Sequence, residues 1–324
     1  MPVTVSVVIP AYNQKELLSS CISALVKQDF GRENFEIIIA DDGSTDGTKE
    51  FIENTFPAGN VKIFRQQNLG PAAARNLGIR NSSGNIVAFT DSDCRPARDW
   101  LSSALRHFED NSVAGVEGKT ALINPEKSTP FSHFTENVTG GRYLTCNIFY
   151  RKAALEKAGG FDERFKLAVR EDSDLAFSVL EAGGRIVFSP ETVVSHPVSA
   201  PDYKRFFKKS KEAYYDALLY KKHPGLYRKA LKWYDGWAIP VFHYGYYLSF
   251  IFALLAFFSK PAQNLIIPLA MLAVSHFTAI VHACRKKKVT LKYLIVMFFQ
   301  LFIIPFVRLY WVIKGNLRFK TFVF

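Results

Sequence analysis

The strongest constraint on the fold is an alternation of short apolar segments and helical segments in the first hundred residues. Residues 5–10, 35–40 and 86–90 are almost continuously apolar and rich in β-branched side chains. The segments with helical patterns between them are residues 15–28, 45–54 and 71–80. Strands that are apolar on both faces and alternate with helices form parallel sheets covered on both sides. The sequence therefore predicts a doubly wound α/β domain with a mostly parallel sheet.

A polar cluster follows each of these predicted strands. Residues 11–13, 41–44 and 91–93 contain Tyr, Asn and four Asp side chains between them. In doubly wound sheets, ligands bind at the carboxyl ends of the strands. We therefore expect the three clusters to meet in one ligand-binding crevice.

The chain changes character after residue 201. Residues 1–201 contain 21 Lys and Arg against 25 Asp and Glu, a net charge of −4, and residues 202–324 contain 20 against 4, a net charge of +16. The basic residues border long apolar runs, so an anionic membrane surface is the expected partner and nucleic acid is not. We predict a catalytic domain at 1–201, basic aromatic interfacial helices at 202–235 and a transmembrane region at 236–324.

Three segments of the transmembrane region are candidate spans. Residues 236–258 and 264–284 carry no formal charge over 23 and 21 positions, and about 20 residues cross a bilayer core. Residues 291–313 are interrupted by Pro305 and Arg308, so they form either a full span or a re-entrant or interfacial segment. A pair of buried core helices is the alternative for the first two.

The start of the chain bears on its expected location. Residues 1–13 are apolar but lack the basic segment and cleavage pattern of a signal peptide. We therefore expect the catalytic domain to lie in the cytosol. On the length of the three segments we expect three spans, and thus a multi-pass protein of the cell (inner) membrane.

Several acidic and basic side chains are candidates for chemistry, and each also has a plain structural interpretation. Asp91 and Asp93 form an Asp-x-Asp turn that suits a divalent cation with a diphosphate, although such turns are common without metals. Arg75 opens a helix of small residues and can contact a phosphate or serve packing alone. Glu171 and Asp172 begin a predicted helix, where carboxylates are favourable electrostatically, and either can also act as a general base.

A fixed order of motifs identifies a family. The segments VSVVIPAYN, ADDGSTDGT, NLGPAAARNLGI, FTDSDCRP, TCNIFYRKAALEKAGGFDERF and REDSDLAFSVLEAGGRI follow one another between residues 5 and 197. In these segments the chain resembles the family 2 glycosyltransferases of the GT-A fold. Each motif alone is weak or moderate, but the ordered set covers nearly two thirds of the chain.

The resemblance implies roles for particular residues. It implies that Asp172 is the catalytic base, with Glu171 as its neighbour. It also implies that Asp93 holds Mn²⁺ or Mg²⁺ together with the donor diphosphate, and that His196, otherwise an ordinary loop histidine, completes the metal site. The residues expected to bind the nucleotide-sugar donor are Pro10, Tyr12, Asn13, Asp42, Asn68, Arg75, Asp91 and Asp93.

The function implied is inverting transfer of a sugar from a nucleotide sugar, with a UDP-sugar expected, to an acceptor hydroxyl. A lipid-linked saccharide is one candidate acceptor, within the synthesis of cell envelope polysaccharide. The Gln-x-x-Arg-Trp signature of processive family members is absent after Asp172, which argues against a polymer synthase. Two alternatives remain: a polyprenyl-phosphate sugar synthase, and a catalytically inactive, membrane-tethered protein that binds nucleotide sugars.

Overall fold

The computed structural model describes residues 4–56, 59–234, 238–258, 262–285 and 287–323. The chain divides into two compact units. The N-terminal unit contains Met1–Ile123 and Phe134–Pro197, and the C-terminal unit contains Asn124–His133 and Val198–Phe324.

The N-terminal unit is built on one sheet of eight strands. Its order is β3-β2-β1-β4-β7-β6-β8-β5. The strands are β1 (Val5–Ala11), β2 (Phe35–Asp41), β3 (Val61–Arg65), β4 (Ile86–Phe89), β5 (Arg95–Pro96), β6 (Val113–Ile123), β7 (Ile148–Arg151) and β8 (Arg185–Pro197). Pairing is parallel from β3 to β4 and between β6 and β8, and it is antiparallel at β7 and at β5. The predicted α/β class is confirmed, with a sheet that is mixed in its second half.

The apolar strands are buried on both faces, as their composition predicted. Alternate side chains of β1 enter two separate cores, with Val7 and Ile9 on one face and Val8 on the other. The first core contains Leu18 and the second contains Ala72, which lie on different helices. Because successive strand residues point to opposite faces, a continuous apolar run requires helices on both sides.

The α-helices that cover this sheet in the described part of the unit are α1 (Lys15–Leu25), α2 (Thr48–Thr55), α3 (Pro71–Arg80), α4 (Trp100–Leu105), α5 (Lys152–Ala158) and α6 (Glu171–Glu181). The bounds of α3 are those predicted, because Pro71 is favoured at a first helical position and Gly70 before it has a φ of 100°. Helix α2 begins three residues later than predicted. The reason is that Asp46 caps Thr48 and Gly47 adopts a φ of 79°.

In its described residues, the C-terminal unit contains the α-helices α7 (Arg205–Ser210), α8 (Glu212–Lys222), α9 (Pro224–Tyr234), α10 (Ala238–Phe258), α11 (Ile266–Cys284) and α12 (Leu291–Phe319). Two helical segments of the described chain, Gln263–Cys284 and Leu291–Phe319, are long and apolar enough to cross a membrane by length and composition. In the first predicted span, residues 236–237 lie outside the description. Within α10, the segment Gly245–Phe258 is an apolar helix that is shorter than the other two.

The third predicted span is part of a single long helix. Pro305 lies inside α12 without ending it, and its carbonyl accepts a 2.6 Å hydrogen bond from the Tyr247 hydroxyl. The guanidinium of Arg308 lies 3.9 Å from the carboxylate of Asp216. The two residues that interrupt the apolar pattern therefore each have a polar partner within the C-terminal unit.

Candidate active site

The loop after β1 is tied to the loop after β2 by Asn13. Its backbone N–H donates to Ser44 Oγ at 3.0 Å, and its Oδ1 accepts from the N–H of Thr45 at 2.7 Å. Asn13 has a φ of 52°, a conformation that Asn tolerates better than most residues. Asn13, which was predicted to bind the sugar donor, thus stabilises the turn that contains the polar cluster at residues 41–44.

The carboxylate of Asp42 holds the loop that precedes α3. Oδ1 accepts from Gln66 Nε2 at 2.7 Å and from the Leu69 N–H at 2.9 Å, and Oδ2 accepts from the Gly70 N–H at 2.9 Å. Gly70 is needed because a Cβ there would lie 3.0 Å from the carbonyl oxygen of Lys166. Asp42 therefore shapes the segment that contains Asn68.

Three predicted donor residues differ in exposure. Tyr12, directly after β1, is 47% exposed, and Asn68 is also exposed. Pro10 lies within β1 and is half-buried. The backbone of Asn68 lies close to the polar cluster at residues 41–44. A Cβ on Gly43 would lie 3.1 Å from the backbone nitrogen of Asn68.

Arg75 joins Asp91, in the loop after β4, to the start of α6. Its Nη2 donates to Asp91 Oδ1 and its Nη1 donates to Glu171 Oε1, each at 3.0 Å. The Arg75 side chain is 3% exposed, and its guanidinium lies 5.7 Å from the centre of the Phe161 ring. Both ends of the guanidinium therefore contact carboxylates, a pairing that the sequence analysis did not anticipate.

The two acids at the start of α6 have different surroundings. Burial, and then the charge of Asp172, raises the pKa of Glu171 to about 8, although Arg75 opposes the shift. Burial also raises the pKa of Asp172, and the Ser173 N–H opposes that change. Glu171 therefore keeps its proton near neutral pH.

Asp172 lies in the first turn of α6, after a residue with unusual backbone geometry. Its Oδ1 accepts from the Ser173 N–H at 2.6 Å and from the Ser173 hydroxyl at 3.3 Å. Arg170, at the helix N-cap, has a left-handed φ of 71° and makes no side-chain cap. Non-glycine residues in this conformation are strained, and such strain is often found at functional sites.

Asp93, Cys94 and His196 form the candidate metal site, with one potential ligand atom from each lying within 4.8 Å of the others. Asp93 Oδ2 lies 3.8 Å from His196 Nε2. His196 Nδ1 lies 2.8 Å from the Pro197 carbonyl oxygen, which can only accept, so Nδ1 carries a proton and Nε2 is the ring nitrogen on the side of Asp93.

The thiol of Cys94 is a poor ligand in this group. Its hydrogen bond with Cys146, followed by burial, raises the pKa of Cys94 well above its usual value. A metal binds the thiolate and not the thiol. The remaining carboxylate and imidazole suit Mn²⁺ or Mg²⁺ with further oxygen ligands, so the residues present fit a divalent cation.

Two family models match this chain. One, described as glycosyl transferase family 2, matches residues 6–164, and another, described as glycosyl transferase family group 2, matches residues 86–314, more than half of the chain.

The chain belongs to the family 2 glycosyltransferases.

A curated relative is similar to part of this glycosyltransferase. Glycosyltransferase AglE from Haloferax volcanii is 31% identical over 204 residues, which are 60% of this chain and 66% of the relative. The chain thus spans just under two thirds of that relative's length.

Solved structures share the fold. A mannosyltransferase from Pyrobaculum calidifontis, solved with GDP-Man and Mn²⁺, superposes with a TM-score of 0.63 at 20% identity, covering 99% of this chain and 89% of the other. Residues 1–349 of TarS from S. aureus, solved with UDP-GlcNAc, give a TM-score of 0.53 at 16% identity, covering 99% and 93%. These likenesses confirm the GT-A fold.

The sequence did not predict the roles of two buried residues, Glu117 and Asn147. Glu117 accepts the N–H groups of Gly141 at 2.6 Å and Arg142 at 2.8 Å, and so holds the loop before β7. The side chain of Asn147 accepts from Trp100 Nε1 at 2.8 Å and donates to the Thr192 carbonyl at 3.0 Å. The Gly-Gly pair at 140–141 was the available signal for the first, because both glycines adopt a left-handed φ.

Proposed function

We propose that this glycosyltransferase transfers a sugar from a nucleotide sugar with inversion of the configuration at the anomeric carbon. We also propose that it requires a divalent metal. The observation that carries the proposal is the bridge made by Arg75, which links Asp91 on the donor side to Glu171 beside the proposed base. The bridge supports one site in which a donor and an acceptor meet.

The donor side is proposed to consist of the loops after β1, β2 and β4. Tyr12 and Asp42 are assigned to the nucleotide base and Asp91 to the ribose, with Pro10, Asn13, Asn68 and Arg75 shaping the site. Asp93 and His196 are assigned to Mn²⁺ or Mg²⁺. When bound, such a cation neutralises the charge that develops on the leaving diphosphate.

Two structural neighbours support a nucleotide-sugar donor. One was solved with GDP-Man and Mn²⁺, and another with UDP-GlcNAc. We assign a UDP-sugar to this chain, and we assign the metal to the Asp93–His196 pair because its ligand atoms lie 3.8 Å apart.

On the acceptor side, Asp172 is proposed to accept the proton of an acceptor hydroxyl. The hydroxyl oxygen forms a bond to the sugar C1 while the bond from C1 to the diphosphate oxygen breaks and its electron pair leaves with the diphosphate. Attack from the face opposite the leaving group inverts C1. Glu171 supports this role because burial raises its pKa to about 8, so that near neutral pH it does not place a second full negative charge directly beside Asp172.

We further propose a multi-pass protein of the inner membrane, with the N-terminal unit in the cytosol and α10 as a third span. The two long apolar helices support membrane insertion, and insertion supports an acceptor carried on a lipid. One relative, 26% identical over 174 residues, is named poly(ribitol-phosphate) β-N-acetylglucosaminyltransferase TarS. That name supports a role in cell envelope polysaccharide synthesis.

A donor screen tests the proposed function. Membranes that contain the full chain are given UDP- and GDP-sugars with hydroxyl acceptors, and products are followed by mass spectrometry and by the anomeric configuration in NMR. We expect transfer with inversion in Mn²⁺ or Mg²⁺ and loss of transfer in excess chelator. Transfer that continues unchanged in chelator contradicts the metal role, and donor bound but never consumed supports the inactive binder.

The alternative function, a polyprenyl-phosphate sugar synthase, differs from the proposed function in its acceptor. An acceptor phosphate is already ionised and needs no base, so that reaction proceeds when Asp172 is neutralised. Undecaprenyl phosphate offered beside a lipid-linked sugar therefore distinguishes the two enzymes.

A further inference from the structure

Three cations lie together in the C-terminal unit, beside the loop that joins α11 to α12. Arg205 and Lys209 belong to α7, and Lys287 belongs to that loop. Burial, followed by repulsion from Arg205 and Lys209, lowers the pKa of Lys287 to about 8. The charges of Arg205 and Lys209 therefore lie close enough to Lys287 to destabilise its charged form.

Residues 128–130 connect α7 to the loop between α11 and α12. Arg205 Nη1 donates to the Pro130 carbonyl oxygen at 3.1 Å, and the N–H of Lys288 donates to the Ser128 carbonyl oxygen at 2.8 Å. Both hydrogen bonds end on residues 128–130. One short segment thus fixes both α7 and the basic loop.

An aromatic cluster fixes the same elements. The ring of Phe131 is fully buried, and its centre lies 5.0 Å from Tyr203, 5.5 Å from Phe206 and 5.6 Å from Tyr293. Tyr293 is in the first turn of α12, and Phe206 is in α7. The helix and the loop that contain the three cations are therefore joined by a packed core, in which Arg205 and Lys287 are half-buried while Lys209 is exposed.

The guanidinium of Arg205 is largely removed from solvent. Burial lowers the pKa of Arg205, and its buried Nε has no hydrogen-bond partner among the residues that the structure describes. Of the nearby acids, Glu212 acts on Arg205, and Asp202 pairs with Lys208 at 2.7 Å. Like charges held together at partial burial are costly without an anion between them.

We propose that Arg205, Lys209 and Lys287 form a binding site for a phosphate group. An arginine presents paired donors that match phosphate oxygens, and two lysines add charge. The phosphate of an anionic lipid is the expected source, because the site lies where the apolar helices α11 and α12 meet at one end. The inference does not depend on the chemistry of glycosyl transfer.

A matched pair of double variants tests the site. Lys209→Gln with Lys287→Gln removes two of its charges, and Lys208→Gln with Lys288→Gln removes two charges from the same segments but outside the site. The purified full chain in nonionic detergent with EDTA is titrated with phosphatidylglycerol and, separately, with inorganic pyrophosphate. We expect the site variant to bind roughly 10- to 30-fold more weakly, with less than about threefold change in the control.

The two ligands distinguish the source of the phosphate. A loss confined to phosphatidylglycerol assigns the site to a lipid, and a loss with both ligands assigns it to any phosphate. Equal losses in the two double variants, or none in either, overturn the proposal. Gel filtration and thermal unfolding check that the variants are folded.

The wild-type protein offers a second measurement that does not depend on a variant folding. The groups that act on Lys287 are Arg205, Lys209 and Cys284. An anion favours the charged lysine, so affinity for phosphatidylglycerol should fall about tenfold between pH 7 and pH 9 as Lys287 loses its proton. A flat pH profile overturns the assignment of Lys287.

Discussion

Arg75 donates a 3.0 Å hydrogen bond from Nη1 to Oε1 of Glu171, and each side chain is only 3% exposed. Even with this partner, burial raises the pKa of Glu171 to about 8. Glu171 is therefore a buried acid with one oxygen that accepts a hydrogen bond from Arg75. Its raised pKa favours the protonated form near neutral pH. This arrangement separates its properties from those of Asp172, the next residue, and leads to the first two predictions.

The first prediction concerns stability against pH. The folded-state pKa of Glu171 exceeds its ordinary value of 4.5, so the folded state binds more protons between pH 4.5 and about 8. Its contribution is fully present below pH 4.5 and is lost as pH rises towards 8, with a limiting slope of about 1.4 kcal/mol per pH unit. Glu171→Gln should flatten the decline in Tm from pH 5 to pH 8.5, and Glu181→Gln, at the exposed end of α6, should not. Identical slopes in the wild type and Glu171→Gln would contradict the prediction.

The second prediction concerns the proposed base. Asp172→Asn keeps an oxygen for the Ser173 N–H, which Asp172 accepts at 2.6 Å, but it cannot accept a proton. Transfer should fall by ~10²–10⁴-fold, and donor affinity by calorimetry should change little. Glu181→Gln is again the control. If Asp172 only stabilises the first turn of α6, the Asn variant will transfer at the wild-type rate, because its amide oxygen can still accept from the Ser173 N–H.

The third prediction concerns the metal ligands. Asp93→Asn and His196→Gln each remove a ligand atom of the pair that lies 3.8 Å apart. Each should raise the Mn²⁺ concentration for half-maximal donor binding by at least about tenfold. Cys94→Ala should change that concentration less than about threefold, because its raised pKa keeps the thiol protonated. A Cys94→Ala effect as large as that of His196→Gln would make the thiol a ligand.

The fourth prediction concerns the loop before α3. Asp42 accepts hydrogen bonds on both oxygens, including one from the Gly70 N–H at 2.9 Å. In Asp42→Asn one of these oxygens becomes an NH₂ group that faces a donor, which costs about 1–3 kcal/mol of stability. The donor KM should rise while kcat changes less, since the loop with Asn68 loses its position. An unchanged KM in a variant with lowered Tm would restrict Asp42 to a structural role.

The sequence by itself determined the parts of the molecule that local patterns encode. The strands at residues 5–10 and 35–40 were predicted to within one residue, because short runs rich in β-branched apolar residues that alternate with helical patterns are typical of strands buried on both faces. Helix α3 was predicted in full from Pro71 and the small residues that follow. The ordered motifs were sufficient to predict the family, since each is a short segment of fixed spacing.

Only the tertiary structure decided which distant side chains meet. Arg75 reaches Asp91, 16 residues away, and Glu171, 96 residues away, and no local pattern relates these three positions. The same holds for Asn147, which joins Trp100 to Thr192, and for the antiparallel insertion of β7 between β4 and β6. Local periodicity and turn chemistry depend on neighbours in sequence, whereas the pairing of buried polar groups depends on which surfaces the packed sheet and helices bring together.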